Sequence, residues 1–200
     1  MKIIPLGLYQ TEYTIKKSKF ICIITRVSTK EEAWDFIKKY SQLKATHNCY
    51  SYIIKKDNIT KYSDDGEPIH TAGFVMLSWL LKQQYTNIVA LTIRYYGHIP
   101  LGKSKLIKAY ITGLEKILTT IKVNEIQIVF RYQVTTDLRE RKLILKIIKE
   151  LNGKIFSREY NDFLVITFDS SNNNLEAILR KNIKIIEIKM HEFQLEKIKN

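Results

Sequence analysis

Apolar and polar positions in the first part of the chain alternate in a way that predicts strands followed by helices. From Leu8 to Val27, Tyr, Thr, Ile and Phe alternate with polar residues, which is typical of two strands, and the pattern breaks around Lys16–Ser18. Ser28 and Glu31 have the spacing of a capping box. We therefore expect Ser28 to begin a helix that packs one apolar stripe on the sheet.

Further strands and helices are predicted before residue 125. A strand is expected over about 48–55, and the polar stretch that follows, 57–70, is typical of turns. A second helix is expected from near Thr71, and the β-rich run Ile88–Tyr95 has the composition of a central strand. A loop, Tyr96–Gly102, then leads into a long helix over about 103–119.

The segment after Val123 repeats neither the spacing nor the charge of what precedes it. It predicts a strand near 127–134, a helix capped by Asp137, a hairpin that turns at Asn161–Asp162, a helix over 175–180 and a strand over 183–190. This βαββαβ order is the ferredoxin-like split motif. The expected fold class is α+β, with one domain over residues 1–125 and a ferredoxin-like domain over residues 126–200.

The composition is that of a folded protein with an excess of basic residues. The 200 residues include 33 Lys and Arg against 20 Asp and Glu, a formal net charge of +13. The first 125 residues hold 19 basic and 10 acidic side chains, so most of the excess lies there. This charge favours an anionic partner such as nucleic acid, although the Lys- and Ile-rich composition that an A/T-rich genome produces would also account for it.

No segment is predicted to enter a membrane. The longest apolar runs, such as 74–81, are far shorter than the ~20 residues that span a bilayer, and the apolar stretch at the amino terminus is too short for a signal peptide. Cys22 and Cys49 belong to no C-x-x-C pair and are expected to be reduced core residues. We therefore expect a cytoplasmic protein without a membrane partner.

An acidic cluster formed by Asp64, Asp65 and Glu67 interrupts the basic chain. Its oxygen atoms could hold a hard cation, or the cluster could receive a basic partner. The alternative is an Asp-Gly turn whose carboxylates are solvated and favour the positive end of the helix that begins near Thr71. The further ligands of an EF-hand are missing, and the sequence leaves these interpretations open.

The segment Gly97–Ser104 formally satisfies the phosphate-loop pattern G-x-x-x-x-G-K-[ST] between a predicted strand and a predicted helix. Pro100 has no N–H to offer a phosphate, and Ile99 and Leu101 are bulky where small residues let the backbone approach. We therefore do not expect a nucleoside triphosphatase at this loop.

The helix after this loop begins with several cations. Lys103, Lys105 and Lys108, with Arg94 nearby in the chain, could bind phosphate groups at the positive end of the helix. A solvated helix face explains the same pattern.

Three histidines, His47, His70 and His98, lie at or near the ends of predicted elements. They would make a metal site if these ends converged, yet no i, i+4 pair of the H-E-x-x-H kind is present. Cys49 is two residues from His47, but no third residue that would orient such a pair can be assigned. We predict no catalytic residue, no metal and no cofactor.

Four groups of residues in the first 125 positions resemble the YigZ/IMPACT family. The matching segments are Lys16–Ile21; Ala45–Cys49; Ser63–Pro68 with Thr71–Gly73; and Arg94–Gly97 running through Leu101–Gly102 to Leu106–Tyr110. The βαββαβ segment is similar to the smaller domain of bacterial members, so the resemblance covers nearly the whole chain.

The resemblance implies a fold and a role for each domain. The first domain would have the fold of the second domain of a small-subunit ribosomal protein, a mixed sheet with helices, and the second would resemble the last domain of elongation factor G. The family is associated with regulation of translation, and eukaryotic members bind a protein that activates an initiation-factor kinase. For bacterial members the resemblance implies RNA or ribosome binding without an established reaction. Some are labelled proline dipeptidases, a label that no metal-ligand set in this sequence supports.

This sequence departs from the family pattern at glycines. His70 precedes Thr71 where the family has glycine, His98 replaces the second glycine of Tyr-Gly-Gly, and Gly102–Lys105 replaces Gly-Thr-Gly-Gly. Either side-chain charge here substitutes for backbone donors to the family's ligand, or the site has decayed, and the sequence leaves this open.

The sequence therefore predicts a non-enzymatic protein that engages RNA or the ribosome in translational control, without specificity for DNA. The residues expected to bind phosphate groups in one basic groove are Arg94, Tyr96, Lys103, Lys105 and Lys108. The residues expected to form its rim are His47, Asp64, Asp65, Glu67, His70, Thr71 and His98. The alternatives are a metal- or nucleotide-dependent hydrolase and a protein-docking regulator of translation.

Overall fold

In a computed structural model that describes residues 1–172 and 174–197, the chain divides after Glu125. The first unit is Met1–Glu125 and the second is Ile126–Lys197. Both contain helices and antiparallel sheet, so the predicted α+β class is confirmed at this level. Within the described ranges, no helix combines the length and the apolar character needed to cross a bilayer.

The first unit is built on five long strands. They are β2 (Leu8–Ile15), β3 (Ser18–Arg26), β4 (His47–Ile54), β5 (Ile59–Ser63) and β6 (Ile88–Tyr95), after a two-residue strand β1 (Lys2–Ile3) that pairs with Asn124 and Glu125. The sheet order is β2-β3-β6-β4-β5, and every neighbouring pair is antiparallel. The expected mixed sheet is therefore wrong for these ladders. Strands β3 and β4 run in the same direction, but β6 lies between them and is antiparallel to both, so they form no parallel ladder with each other.

Helices cover both faces of this sheet. They are α1 (Lys30–Tyr40), α2 (Gly73–Lys82) and α3 (Lys103–Leu118). On one face, Phe36 and Ile37 of α1 pack in a cluster with Ile93. On the other, Met76 of α2 and Tyr110 of α3 belong to a second cluster. Because it is covered on both sides, β6 is buried from Ile88 to Arg94, which agrees with the central position predicted for it.

The helix starts and one strand differ from the sequence-based expectations. The N-cap of α1 is Thr29, not Ser28: the Thr29 hydroxyl accepts from the Glu32 N–H at 3.2 Å, and the Glu32 carboxylate accepts from the Ser28 N–H at 2.6 Å. The capping pair therefore lies one position further along. Helix α2 begins at Gly73 rather than near Thr71, and β5 occupies part of the stretch expected to be turns.

The second unit contains the predicted βαββαβ order. Its elements are β7 (Asn124–Thr136, from Ile126 onward in this unit), α4 (Arg141–Glu150), β8 (Lys154–Tyr160), β9 (Leu164–Ser170), α5 (Leu175–Asn182) and β10 (Ile185–Lys197). Strand β7 pairs with β9 and β10, and β8 pairs with β9. The Asp137 carboxylate caps a short 3-10 helix, Leu138–Glu140, rather than α4 itself, where the sequence predicts a single helix.

Candidate functional site

The amino-terminal end of α3 carries three exposed lysines and no neutralising group on its own turn. Lys103, Lys105 and Lys108 are all exposed. The N-cap is Gly102, with φ 75°, so no side chain caps the first N–H groups, and the first turn has no acidic residue. An uncapped helix end of this kind presents free N–H donors and a positive partial charge.

The three lysines do not share one groove. At about 100° per residue, Lys103 lies about 60° around the helix axis from the buried Leu106, Lys105 about 100° and Lys108 about 160°. Only Lys103 of the three lines a cavity beside the helix. The expected single basic groove is therefore wrong in its geometry, because the helical turn distributes these side chains over different faces.

The cavity beside α3 has a volume of ≈ 210 Å³. Its apolar walls come from Pro68, which follows the acidic turn, from the loop before α3 and from α3 itself. Its polar groups come from the acidic turn, from the end of β6 and from the first turn of α3. The lining residues are Glu67, Pro68, Arg94, Tyr96, Pro100, Leu101, Gly102, Lys103 and Leu106. Four of the predicted site residues, Arg94, Tyr96, Lys103 and Glu67, therefore meet at one concavity.

Arg94 lies inside the unit rather than on a basic surface. Its side chain is 5% exposed, and its Nη1 lies 2.6 Å from Oε1 of Glu67, whose side chain is 3% exposed. Arg94 Nη2 also donates to Ser18 Oγ at 3.3 Å. The positive charge of Arg94 is thus balanced by a buried carboxylate. Arg94 therefore differs from the three exposed lysines at the start of α3, with which the sequence predicts that it binds phosphate.

The same carboxylate is held by α3. The Tyr110 hydroxyl donates to Glu67 Oε1 at 2.7 Å, and His47 Nε2 lies 3.8 Å from Oε2. Burial raises the pKa of the Tyr110 phenol, and the nearby Cys49 and Glu67 raise it further, so the phenol keeps its proton and remains a donor. Glu67 therefore links the acidic turn to β6 and to α3.

Cys49 lies beneath this network as a buried thiol. Its Sγ lies 3.0 Å from the Asp64 carbonyl oxygen and 3.3 Å from the Tyr110 hydroxyl oxygen, and the single thiol proton has these two acceptors within reach. Burial raises the pKa of the thiol, which disfavours the thiolate a nucleophile needs. Cys22 is also a free, buried cysteine, so both cysteines are core residues as predicted.

The Arg94 guanidinium lies between two aromatic rings. Its Cζ is 5.4 Å from the centroid of Phe20 and 5.2 Å from that of Tyr96, within the range of cation–π attraction. Its Nε–H is buried and has no hydrogen-bond partner among the described residues. A buried donor without a partner is uncommon in folded proteins, and the residue that carries this one is among those that line the cavity.

The other two carboxylates of the acidic turn serve the backbone. Asp64 accepts from the N–H groups of His70, Ala72 and Phe74 at 2.8, 3.1 and 3.3 Å, at the start of α2. The Asp65 carboxylate accepts from the Asn48 N–H at 2.5 Å. One alternative predicted from the sequence is a turn whose carboxylates favour the positive end of the following helix, and this is correct for Asp64. The same alternative expects the carboxylates to be solvated, which is wrong for Glu67 because its side chain is buried.

The remaining rim residues do not line the cavity. His47 is held by the Asp65 carbonyl, 2.7 Å from Nδ1, and Thr71 is buried and donates to the Pro68 carbonyl. His70 packs on Phe74, and His98 packs near Tyr96 on an exposed loop. In the part of the chain that the structure describes, no group of three or more His, Cys, Asp or Glu side chains is arranged to hold a metal ion.

Gly97 fixes the loop between β6 and α3. A Cβ at this position would lie 2.1 Å from the Lys17 carbonyl carbon, so only glycine lets the β2–β3 hairpin come this close. The Gly97 N–H donates to Ser18 Oγ at 3.1 Å, the same oxygen that accepts from Arg94. The hairpin, the loop and the buried arginine are therefore joined through one hydroxyl.

Sequence reasoning assigned no site role to several residues that shape this cavity. Pro68, Pro100, Leu101 and Leu106 form its apolar walls, and Tyr110 holds Glu67 from below. One signal was available: a tyrosine in the middle of the apolar stripe of α3 has a hydroxyl that needs a buried partner.

Comparison with known proteins assigns the chain to a family. The model of the Impact N-terminal domain matches residues 16–118. An IMPACT family member of Bacillus subtilis, YvyE, is 39% identical over 148 residues, which cover 68% of this chain and 68% of that protein. YigZ of Escherichia coli is 28% identical over 169 residues, covering 82% and 83%. A crystal structure of a hypothetical protein aligns with TM-score 0.59 and 25% identity, covering 94% of this chain and 97% of that one. By its matched domain and its relatives, the chain belongs to the IMPACT family.

Proposed function

We propose that this protein binds RNA, alone or within the ribosome, through the start of α3 and the loop before it, and that it acts in the regulation of translation without catalysing a reaction. The family is generally linked to translational regulation, which supports the second half of the proposal. The single observation that carries the first half is the uncapped, lysine-bearing end of α3.

A contrast with α1 explains why this helix end favours an anion. The start of α1 is occupied by the Thr29 hydroxyl and has two acidic side chains, Glu31 and Glu32, in its first turn. The start of α3 has neither a side-chain cap nor an acid, and Lys103 and Lys105 stand in its first turn. Phosphate groups are attracted to a helix end that combines free N–H groups with ammonium groups.

The position of the lysines favours contacts with more than one phosphate. Lys103 reaches the cavity side of α3, while Lys105 and Lys108 are exposed on other sides of the same helix. Phosphates are repeated along an RNA strand, so a strand that crosses the helix end can contact all three. Arg94 contributes indirectly, since its charge is already balanced by Glu67.

The domain folds are part of this proposal. We infer that the first unit has the fold of the second domain of a small-subunit ribosomal protein and that the second has the ferredoxin-like fold of the last domain of elongation factor G. The βαββαβ order of the second unit, with β7 between β9 and β10, supports the second inference. Domains of these kinds belong to the translation machinery, and we expect cytoplasmic RNA or ribosomes, rather than specific DNA, as partners.

Salt dependence of RNA binding tests the proposal. Each phosphate contact releases counterions, so the logarithm of affinity falls linearly with the logarithm of salt concentration. Replacing Lys103, Lys105 and Lys108 together with Gln is expected to flatten that slope by about two to three units. Fluorescence anisotropy of labelled RNA at several salt concentrations measures the slope.

The matched control is a triple substitution of Lys142, Lys146 and Lys149 to Gln, since these exposed lysines lie on α4 of the second unit. It removes the same charge and is expected to leave most of the slope in place. Equal slopes for both triple variants, or affinity that ignores salt, would contradict binding at α3.

A further inference from the structure

We propose that the cavity beside α3 receives one unpaired RNA nucleotide, with its base between the apolar walls and its phosphate at the start of α3 beside Lys103. This inference rests on the proposed RNA binding and goes further, because it assigns the ligand of the cavity and distinguishes single strands from duplexes.

The walls of the cavity suit a flat, largely apolar group. Pro68, Pro100, Leu101 and Leu106 line it, and the Tyr96 ring, 37% exposed, stands among them. Aromatic side chains in RNA-binding proteins stack on unpaired bases. Because every base has a π-face, such stacking does not depend strongly on the RNA sequence. The volume of ≈ 210 Å³ is sufficient for one base, because a cavity of about 150 Å³ already holds a benzene ring.

The mouth of the same cavity suits an anion. Gly102 and Lys103 belong to the lining, and they are the N-cap and the first residue of α3. The free N–H groups at this helix end, together with the Lys103 ammonium group, point to a phosphate bound here. The apolar walls and the cationic mouth therefore match the two parts of a nucleotide.

The buried Arg94 provides a separate indication of a ligand. Glu67 and Ser18 satisfy its Nη1 and Nη2, while its Nε–H lacks a partner among the described residues even though the residue lines the cavity. Base edges carry carbonyl and ring-nitrogen acceptors that an N–H of this kind can use after a small adjustment of the guanidinium.

Glu67 does not oppose a bound nucleotide. Its Oε1 accepts hydrogen bonds from Arg94 and Tyr110, so its charge is balanced inside the unit. The phosphate in this arrangement lies at the helix end, next to Lys103. The carboxylate instead holds the guanidinium in position between Phe20 and Tyr96.

The experiment compares two RNAs with the full-length chain. One is a ten-nucleotide oligouridylate, and the other is a duplex with the same number of phosphates, both followed by fluorescence anisotropy at one salt concentration. A base in a duplex is stacked and paired and cannot enter the cavity. We expect the single strand to bind about fivefold or more tightly than the duplex, the smallest gain that one stacked base gives.

The matched variants are Lys103→Gln and Lys108→Gln, which change the same charge on the same helix. Both lysines are exposed, and only Lys103 lines the cavity. Lys103→Gln is expected to weaken binding of the single strand more than Lys108→Gln does, and the two variants are expected to weaken duplex binding equally.

A direct readout comes from the Arg94 side chain. In ¹⁵N-labelled protein, the Nε–H resonance of Arg94 is expected to shift when uridine monophosphate is added. Inorganic phosphate, which lacks the base, is expected to shift the backbone amides of Lys103 and Ser104 while leaving the Arg94 resonance in place. Uridine, which lacks the phosphate, is expected to bind more weakly than the monophosphate.

The outcomes separate this inference from the function on which it rests. If single strand and duplex bind equally and the two lysine variants behave alike, the protein binds an RNA backbone and the nucleotide cavity is wrong. A fixed Arg94 resonance at saturating monophosphate also overturns the cavity assignment. If neither RNA binds, the proposed function fails and this inference fails with it.

Discussion

One arginine–carboxylate pair from each unit, Arg94–Glu67 and Arg131–Asp169, can be compared because the two differ in depth. Arg94 and Glu67 of the first unit are joined at 2.6 Å with side chains 5% and 3% exposed. Arg131 and Asp169 of the second unit are directly opposite each other on β7 and β9, and two hydrogen bonds of 2.8 and 3.0 Å join them, with side chains 42% and 8% exposed. The Arg131 guanidinium also lies 4.3 Å from the Phe156 ring centroid.

The difference shows what a charged pair does at each depth. In a pair whose arginine is half-exposed, water can replace the carboxylate as the partner of the guanidinium, so the pair adds little to stability. Water cannot replace a lost member of a buried pair. The free-energy cost of removing the two charges from water is offset only by close hydrogen-bond partners such as Tyr110 and Ser18. Such a pair is explained better by the geometry that it imposes, here at one wall of a cavity, than by a gain in stability.

The largest expected effect in this comparison comes from Glu67→Leu. The substitution leaves the Arg94 charge buried and unpaired, so we expect the free energy of unfolding to fall by about 3–5 kcal/mol. Urea unfolding of the full chain, followed separately in each unit by NMR or hydrogen exchange, measures the loss and assigns it to the first unit.

Adding Arg94→Met to Glu67→Leu removes the stranded charge, and the double variant is expected to recover much of the lost stability. A double variant as unstable as Glu67→Leu alone would show that the loss comes from packing rather than from charge.

A smaller effect is expected from Tyr110→Phe, which keeps the ring and removes the hydroxyl. Glu67 then loses a donor and the Cys49 thiol loses an acceptor, so we expect a loss of about 1–3 kcal/mol, as for other buried groups left without a partner. Urea unfolding measures it. Tyr85→Phe is a useful control because the Tyr85 ring is buried in the same cluster, where it stacks on Trp79. Equal losses would mean that the Tyr110 hydroxyl has no special role.

The smallest effect is expected from Asp169→Asn in the second unit. The hydrogen bonds that Arg131 donates to Asp169 hold the pKa of Arg131 above its ordinary value, but the half-exposed guanidinium can turn to water once the carboxylate charge is removed. We expect a small shift of the unfolding midpoint that shrinks further in 1 M salt, where exposed charges are screened to about 3 Å. A loss as large as that of Glu67→Leu, or one that is insensitive to salt, would break the distinction between the pairs.

The sequence predicts much of the fold because periodic apolar patterns are long and regular there. Strand β6 and helix α3 have the predicted starts, and the break in the alternation around Lys16–Ser18 correctly separates β2 from β3. Strand β5 is missed because Ile59–Ser63 lies at a half-exposed edge and pairs on one side only, so it has no apolar face of its own. The antiparallel sheet order depends on long-range pairing that periodicity does not encode.

The site is predicted less well, for a physical reason. Charge in a sequence is normally a sign of solvent exposure, and Arg94 and Glu67 break that rule by neutralising each other in the interior. Arg94 nevertheless follows an unbroken run of β-rich residues in a strand predicted to be central, which was a sign of burial. The separation of Lys103 from Lys108 follows from helical geometry and could have been derived from their spacing alone.

The close approach at Gly97 has a consequence for how this site can change over time. Because the hairpin backbone fills the space where a side chain would stand, the path of the loop is set from beneath, by backbone atoms of Lys17 and Ser18. Neighbouring positions can then exchange side chains while the course of the main chain stays the same. Side chains such as those of His98 and Lys103 can therefore be exchanged for others, which would alter the chemistry of the loop and of the helix start without changing the course of the backbone.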